Sequence, residues 1–173
     1  MKGLLKNSHA RGKTMREPVE ELIREYKNHL FAAAFSICKS ASDADDVIQD
    51  TFMKYHFSKK QFSSREHIRA WLLRVAINKA KDVNRSFWKQ KSTSIEDYVE
   101  TLEFKDNDSK DLLYDVLALP EKYRIVIHLY YYEEYSVTEI AELLSLSESN
   151  VKIRLSRGRN MLKAKLEEEW SYE

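Results

Sequence analysis

Residues Ser136 to Leu166 read SVTEIAELLSLSESNVKIRLSRGRNMLKAKL, and this stretch decides the fold. Ser136 followed by Glu139 forms a capping box: the Ser oxygen accepts from an amide three residues on while the Glu reaches back. A helix therefore starts there, with Ile140, Ala141 and Leu144 as its apolar stripe. Ser145 to Ser147 break the period, with Leu146 the one residue turned inward. Ser147 then caps a second helix whose inner face is Val151, Leu155 and Leu162. Two short helices around a tight turn make a helix-turn-helix. On the second helix Asn150, Ile153, Arg154 and Arg157 fall on the outward face, flanked by Lys152, Arg159, Lys163 and Lys165. No acid interrupts the chain between Glu148 and Glu167, so this face suits phosphates, with one or two side chains free for base edges. The plainer reading is an amphipathic helix with a solvated basic face.

Composition bounds what surrounds it. The 173 residues are 43% hydrophobic and 33% charged, with three Gly and two Pro, so hairpins have little material and an all-α chain is expected. A net charge of +1 requires any nucleic-acid binding to come from segregated patches. The single Cys38 excludes an internal disulfide and is expected to pack rather than react. No apolar run approaches the roughly 18 residues of a membrane span, and the start lacks a secretory apolar region, so a cytoplasmic location without membrane insertion is expected.

Residues 1–16 carry five Lys and Arg and no acid, and read as a mobile basic arm. Pro18 opens a helix with the stripe Leu22, Ile23, Tyr26, Leu30, Ala33, Ala34 and Ile37, ending near Ser40. Ser42 reads as the N-cap of a second helix, with Asp43, Asp45 and Asp46 at its positive end and Ala44, Val47, Ile48, Thr51, Phe52 and Tyr55 inward. Asp45, Asp46 and Asp50 superficially match the magnesium motif of prenyl-transferring enzymes, but the spacing has one residue too many and no second acidic cluster faces it. A surface for a basic partner protein is the better reading, with plain solvation the alternative.

The polar loop SKKQFSSR, Ser58 to Arg65, carries Phe62 in its middle, expected to be exposed. The third helix, from about Glu66 to Trp88, buries Ile68, Leu72, Val75, Ala76, Ala80 and Val83, with Trp71 at its edge. Its other face aligns Arg74, Asn78, Lys81 and Arg85 beside Trp71, Phe87, Trp88 and Phe62. Cations interleaved with aromatics suit single-stranded nucleic acid, where bases stack on rings, although for Trp71 a core role is the stronger reading. Residues 89–108 lose all period and are mostly acidic, an expected flexible linker. Periodicity resumes with Leu112, Leu113, Val116, Leu117 and Leu119, then with Tyr123, Val126, Ile127, Tyr130 and Tyr131, so four helices make the C-terminal domain. Residues with the spacing of a catalytic site are absent; the five His are scattered, and His128 in an apolar run reads as packed. Neither an enzyme nor a bound cofactor or metal is expected.

The ordered set DADDVIQDTFMKYH, AWLLRVAINKAKD and LPEKYRIVIHLYYYEEYSVTEIAELLSLSESNVKIRLSRGRNML resembles the extracytoplasmic-function type of bacterial sigma factor, over about Val19 to Leu166. The resemblance implies an N-terminal three-helix sigma2 domain (17–88) between the basic arm and the linker. A four-helix sigma4 domain (109–166) and an acidic tail (167–173) follow. It implies docking on the β′ and β subunits of core RNA polymerase, with Asp45, Asp46, Gln49, Asp50 and Phe52 against the β′ coiled coil. Phe62, Ser63, Ser64 and Arg65 resemble the loop that captures a flipped base of the −10 element, and Arg74, Asn78, Lys81 and Arg85 the helix that holds the melted strand. Ser149, Asn150, Lys152, Ile153, Arg154 and Arg157 resemble the −35 recognition helix. An anti-sigma factor that clamps both domains is a further implied partner. Asn150 and Ile153 stand where the family often has Thr and Ser, so the promoter sequence does not transfer. Gly158, where Ala is usual, costs about 1 kcal/mol of helix propensity unless close packing requires it. The competing reading is a stand-alone helix-turn-helix regulator, which needs only duplex DNA and a dimer.

Overall fold

The computed structural model describes residues 14–86 and 107–170. Within them lie seven helices: α1 (Val19–Cys38), α2 (Ala41–Phe57), α3 (Arg65–Ser86), α4 (Asn107–Ala118), α5 (Glu121–Tyr131), α6 (Val137–Leu144) and α7 (Glu148–Trp170). The expectations placed on residues 1–13, on Phe87 and Trp88, on the linker as far as residue 106 and on the last three residues lie outside the described part. Helix α7 runs on through Trp170, so the expected acidic tail is helical over 167–170.

Helices α1, α2 and α3 form one bundle. Its core is the set the periodicity picks out, Leu22, Leu30, Ala33, Ala34 and Ile37 with Ala44, Val47, Ile48, Ile68, Leu72 and Ala80, joined by Leu73 and Ile77. Ile23 instead lies 38% exposed. The cap of α2 is Ser40 rather than Ser42: the amide of Asp43 donates to Ser40 Oγ at 3.3 Å, because α1 ends two residues earlier, with Lys39 in the left-handed region (φ 54°). Cys38 is half-buried, its Sγ 3.7 Å from the Ala80 carbonyl oxygen. Burial, with Asp43 and Glu121 adding to it, pushes the thiol up to about 12, so it stays protonated.

Helices α4 to α7 form the second bundle around Leu119, Ile125, Val126, Leu129, Ile140, Leu144, Val151 and Leu155. The capping box is present: the Glu139 amide donates to Ser136 Oγ at 3.3 Å, and the Ser136 amide to Glu139 Oε2 at 2.8 Å. Ser145 closes α6 in the left-handed region, and Ser147 caps α7 through the Asn150 amide. Gly158 has the reason its cost demands. A Cβ there would lie 3.0 Å from Ile127 Cγ1 and 3.5 Å from Tyr123 Cβ, so α7 crosses α5 backbone-close. Gly158→Leu is therefore expected to destabilise by about 1–3 kcal/mol, read as a fall in the urea midpoint at unchanged slope.

The two bundles pack against each other, α1 on α5 and α3 on α6. Two buried charges sit in this seam, and periodicity points to neither. Arg124 is 3% exposed and donates to the carbonyls of Leu117 (2.8 Å) and Leu119 (2.5 Å) and, across the seam, of Ser36. Glu133 has a 2% exposed side chain and accepts from Arg69 Nη2 at 2.8 Å, with His29 Nδ1 3.1 Å and His128 Nε2 3.5 Å away.

Candidate nucleic-acid interface

The outward face of α7 is as the spacing requires. Ser149, Asn150, Lys152, Ile153 and Arg157 are exposed and Arg154 half-buried, while Val151 and Leu155 point into the core. Ile153, 52% exposed, is an apolar side chain held out to solvent with no core to fill. Arg154 Nε donates to Asn150 Oδ1 at 2.8 Å, which fixes both planar groups one turn apart. Arg157 hydrogen-bonds the Tyr123 phenol and helps hold it below the ordinary tyrosine range. Thr138 Oγ1 donates to Glu148 Oε1 at 2.8 Å, tying α6 to the start of α7. The helix is thus presented by a braced turn, and it can set an amide, a methyl-sized apolar contact and two guanidinium groups against one groove.

The track on α3 is also outward: Arg74, Asn78 and Arg85 are exposed and Lys81 half-buried. Among the described residues Arg85 has a long contact to Asp82, at 3.7 Å. Arg74 Nη2 donates to the Glu142 carbonyl of the other bundle at 3.0 Å, and among the described residues none of the four cations Arg74, Lys81, Arg154 and Arg157 is bound into an ion pair of its own bundle. Lys81, Arg85, Lys122 and Arg154 line one cleft of about 470 Å³ between the bundles, relieved by Glu121. Burial, then Arg154 and Arg85, push the Lys81 ammonium below its ordinary range against the pull of Glu121. The two basic faces read as separate in sequence therefore confront each other here.

Four expectations at single residues need correction. Phe62 is fully buried, packed on Tyr55 and Trp71 with ring centroids 5.7 Å from each, because the segment at Met15 pairs with its backbone and closes the loop inward. Its ring is a floor and leaves Ser63 exposed and Ser64 half-buried as the loop's outward groups. Trp71 is half-buried against the same core, as its stronger reading had it. Phe52 is 6% exposed and belongs to the bundle core, so it is not available to a partner. Arg65 is occupied by Glu17, Glu21 and Glu25 at 3.4 to 3.7 Å, facing α1. Tyr131, read into the inner stripe of α5, is 53% exposed and accepts from Arg159 Nε at 2.8 Å.

On α2, Asp45, Asp46, Gln49 and Asp50 are exposed, Asp50 pairing with Lys79 at 2.7 Å. The same face continues through Met53 (56% exposed) and Phe57 (74% exposed). Spacings of four, three and four from Asp46 signal this continuation, which the acidic reading overlooked. Among the described residues no group of three or more His, Cys, Asp or Glu is arranged to hold a metal ion, and no helix is long and apolar enough to cross a membrane.

Comparison with known proteins gives the same two blocks in the same order. Residues 22–91 match the family described as Sigma-70 region 2, and residues 116–162 match Sigma-70, region 4. The chain is 31% identical over 153 residues to RNA polymerase sigma factor SigV of Bacillus subtilis strain 168, covering 85% of this chain and 90% of that one. It is 27% identical over 167 residues to ECF RNA polymerase sigma factor SigW of the same strain, covering 84% and 87%. Among solved structures it is similar to CnrH in complex with the cytosolic domain of CnrY (29% identity, TM-score 0.61, 86% of this chain and 87% of that one). It shares its fold with the sigma factor RpoE of Bartonella quintana, crystallised with the anti-sigma factor NepR (21% identity, TM-score 0.68, 86% and 96%).

Proposed function

We propose, from the premise that this chain belongs to the extracytoplasmic-function sigma factors of RNA polymerase, that it divides promoter recognition and polymerase docking among three surfaces. The outward face of α7 (Asn150, Ile153, Arg154 and Arg157, with Ser149 and Lys152) reads the −35 element as duplex. The α3 track (Arg74, Asn78, Lys81 and Arg85), with Ser63 and Ser64 of the preceding loop, takes the opened −10 strand. The α2 face (Asp45, Asp46, Gln49 and Asp50, extended by Met53 and Phe57) docks on core polymerase. The observation that carries this reading is that two cationic faces lie on two different bundles, each matched to its own sigma region, with the acids on a third face. A stand-alone regulator would have no use for the α3 track or the apolar residues beside the acids.

The packed arrangement has a geometric consequence. Elements named −35 and −10 lie about 25 base pairs apart, roughly 85 Å at 3.4 Å per step. A compact chain of this length has a radius of gyration of about 16 Å. With Lys81 and Arg154 lining one cleft, both elements cannot be served together, so the bundles part when the protein works. Partners that hold a sigma factor, as NepR and the cytosolic part of CnrY are found with RpoE and CnrH, would act on the same seam or its surroundings here.

Run-off transcription with the host's core enzyme tests the reading: the purified chain is expected to confer start-site-specific initiation, and failure to replace sigma would end it. The division of labour has its own test. Arg157→Ala is expected to weaken −35 duplex binding by roughly tenfold and flatten its salt dependence by about one counterion, leaving affinity for core unchanged. Asp46→Lys is expected to do the reverse. Equal damage to the same step by both substitutions would show that the surfaces are not separate.

A further inference from the structure

We infer that Arg16, with Met15, is a positioning residue for the −10 loop: a strap that holds residues 58–64 in the shape that receives an unstacked base. The inference rests on the proposed role of that loop. Backbone pairing is reciprocal, the Met15 amide donating to the Phe62 carbonyl at 2.8 Å and the Phe62 amide to the Met15 carbonyl at 3.2 Å. The Arg16 guanidinium lies 4.5 Å over the Tyr55 ring. Its Nη2 donates to the carbonyls of Tyr55 (2.5 Å) and His56 (3.0 Å), and its Nη1 to the Lys60 carbonyl (3.2 Å) and Ser58 Oγ (3.5 Å). One side chain thus joins the end of α2 to the first half of the loop. A planar fork with five donors suits this task, and a cation at a helix C-terminus is favoured there. Beside it, the Tyr55 hydroxyl donates to the Glu17 carbonyl at 2.9 Å and accepts from the Glu17 amide at 3.0 Å.

The second half of the loop is fixed independently. The His67 amide donates to Ser64 Oγ at 3.1 Å, and Ser63 Oγ lies 3.1 Å from His67 Nδ1. Between the two anchors Phe62 is pulled under, leaving Lys60 on one side and Ser63 on the other exposed to an incoming strand, with Lys60 Nζ 5.7 Å from the Phe62 ring centroid. A pocket that must compensate for unstacking a base works best when its walls are set beforehand. The loop contains neither Gly nor Pro, and between Ser58 and Ser63 it has no residue of the kinds that set a turn by themselves.

The test uses the full chain assembled with the host's core polymerase on a promoter and its single-base substitutions through both elements. Permanganate reactivity of unpaired thymines and run-off product are measured for Arg16→Ala, Arg16→Lys, Met15→Pro, Ser63→Ala and Ser64→Ala. Arg16→Ala and Met15→Pro are expected to narrow discrimination at one −10 position by about tenfold, with −35 discrimination and core affinity unchanged and Arg16→Lys partly restoring it. A uniform loss on every promoter, or wild-type discrimination in both variants while the Ser63 or Ser64 variants alter it, would overturn the strap. Unchanged discrimination in all five would instead remove the loop's proposed role. Met15→Pro, which deletes one amide donor and leaves the guanidinium cluster untouched, keeps the test open if Arg16→Ala does not fold.

Discussion

Arg124→Met is expected to lower unfolding free energy by about 3 kcal/mol, a large share of what holds a protein of this size. The side chain is 3% exposed and donates to three carbonyls, of Ser36, Leu117 and Leu119. Ser36 lies in the last turn of α1 and Leu117 in the last turn of α4, and neither helix carries a basic residue in that turn. Arg124 supplies one cation to both negative helix ends. Burial pulls the guanidinium down to about 10, with Glu121 opposing, so it remains charged at neutral pH. Methionine fills much of the volume and removes the cost of a buried cation, but leaves those oxygens without donors where water does not reach. Each orphan costs about 1–3 kcal/mol, and relief of the cation's desolvation offsets part of the sum. Urea unfolding checks it, and a change below about 1 kcal/mol would mean that water satisfies the carbonyls.

The second large effect concerns the relation of the two bundles. Glu133→Gln is expected to shift the balance between packed and parted bundles by over a hundredfold, the equivalent of about 3 kcal/mol for breaking a buried charge pair. Burial alone would raise the Glu133 carboxyl; the neighbouring His128, the hydrogen bond from Arg69 and nearby His29 reverse this and hold it down at about 2. A depressed carboxylate contributes stability that is fully present above its ordinary value of about 4.5 and is lost as pH falls towards about 2. The seam of the natural chain should therefore open across that acidic window, while Glu133→Gln should already be open at neutral pH and show no such step. Small-angle scattering reads both through the radius of gyration. A compact profile for Glu133→Gln at neutral pH would show that apolar contacts between α1 and α5 hold the seam without the carboxylate.

What could be read from the chain was what local chemistry writes. The capping box at Ser136, the stripe of α6 and the inward set of α2 are consequences of spacings of three and four, and those residues face where the spacings put them, although α2 starts two residues earlier than its expected cap. The exposed face of α7 follows by subtraction once Val151 and Leu155 are inside. The misreadings arise where a distant segment overrides the neighbourhood. Phe62 sits among Lys, Gln and Ser and reads as exposed, but Met15, 47 positions earlier, turns it under. Glu133 and Arg124 look like ordinary surface charges in a helical stretch, and only the partners at His29, Arg69 and Ser36 explain their burial. Phe52 reads from its position as both a bundle residue and a partner contact, and a side chain has room for one of these; packing of α2 against α1 and α3 places it in the bundle.

The half-buried Cys38 has a use beyond packing. With burial pushing its thiol up to about 12, it offers far less thiolate near neutral pH than an exposed cysteine does. Maleimide dyes will therefore bypass it and couple to cysteines placed at exposed positions such as Gln49 on α2 and Asn160 on α7. The native residue need not be removed, and a donor–acceptor pair can report single-molecule excursions of one bundle from the other in a chain otherwise unaltered.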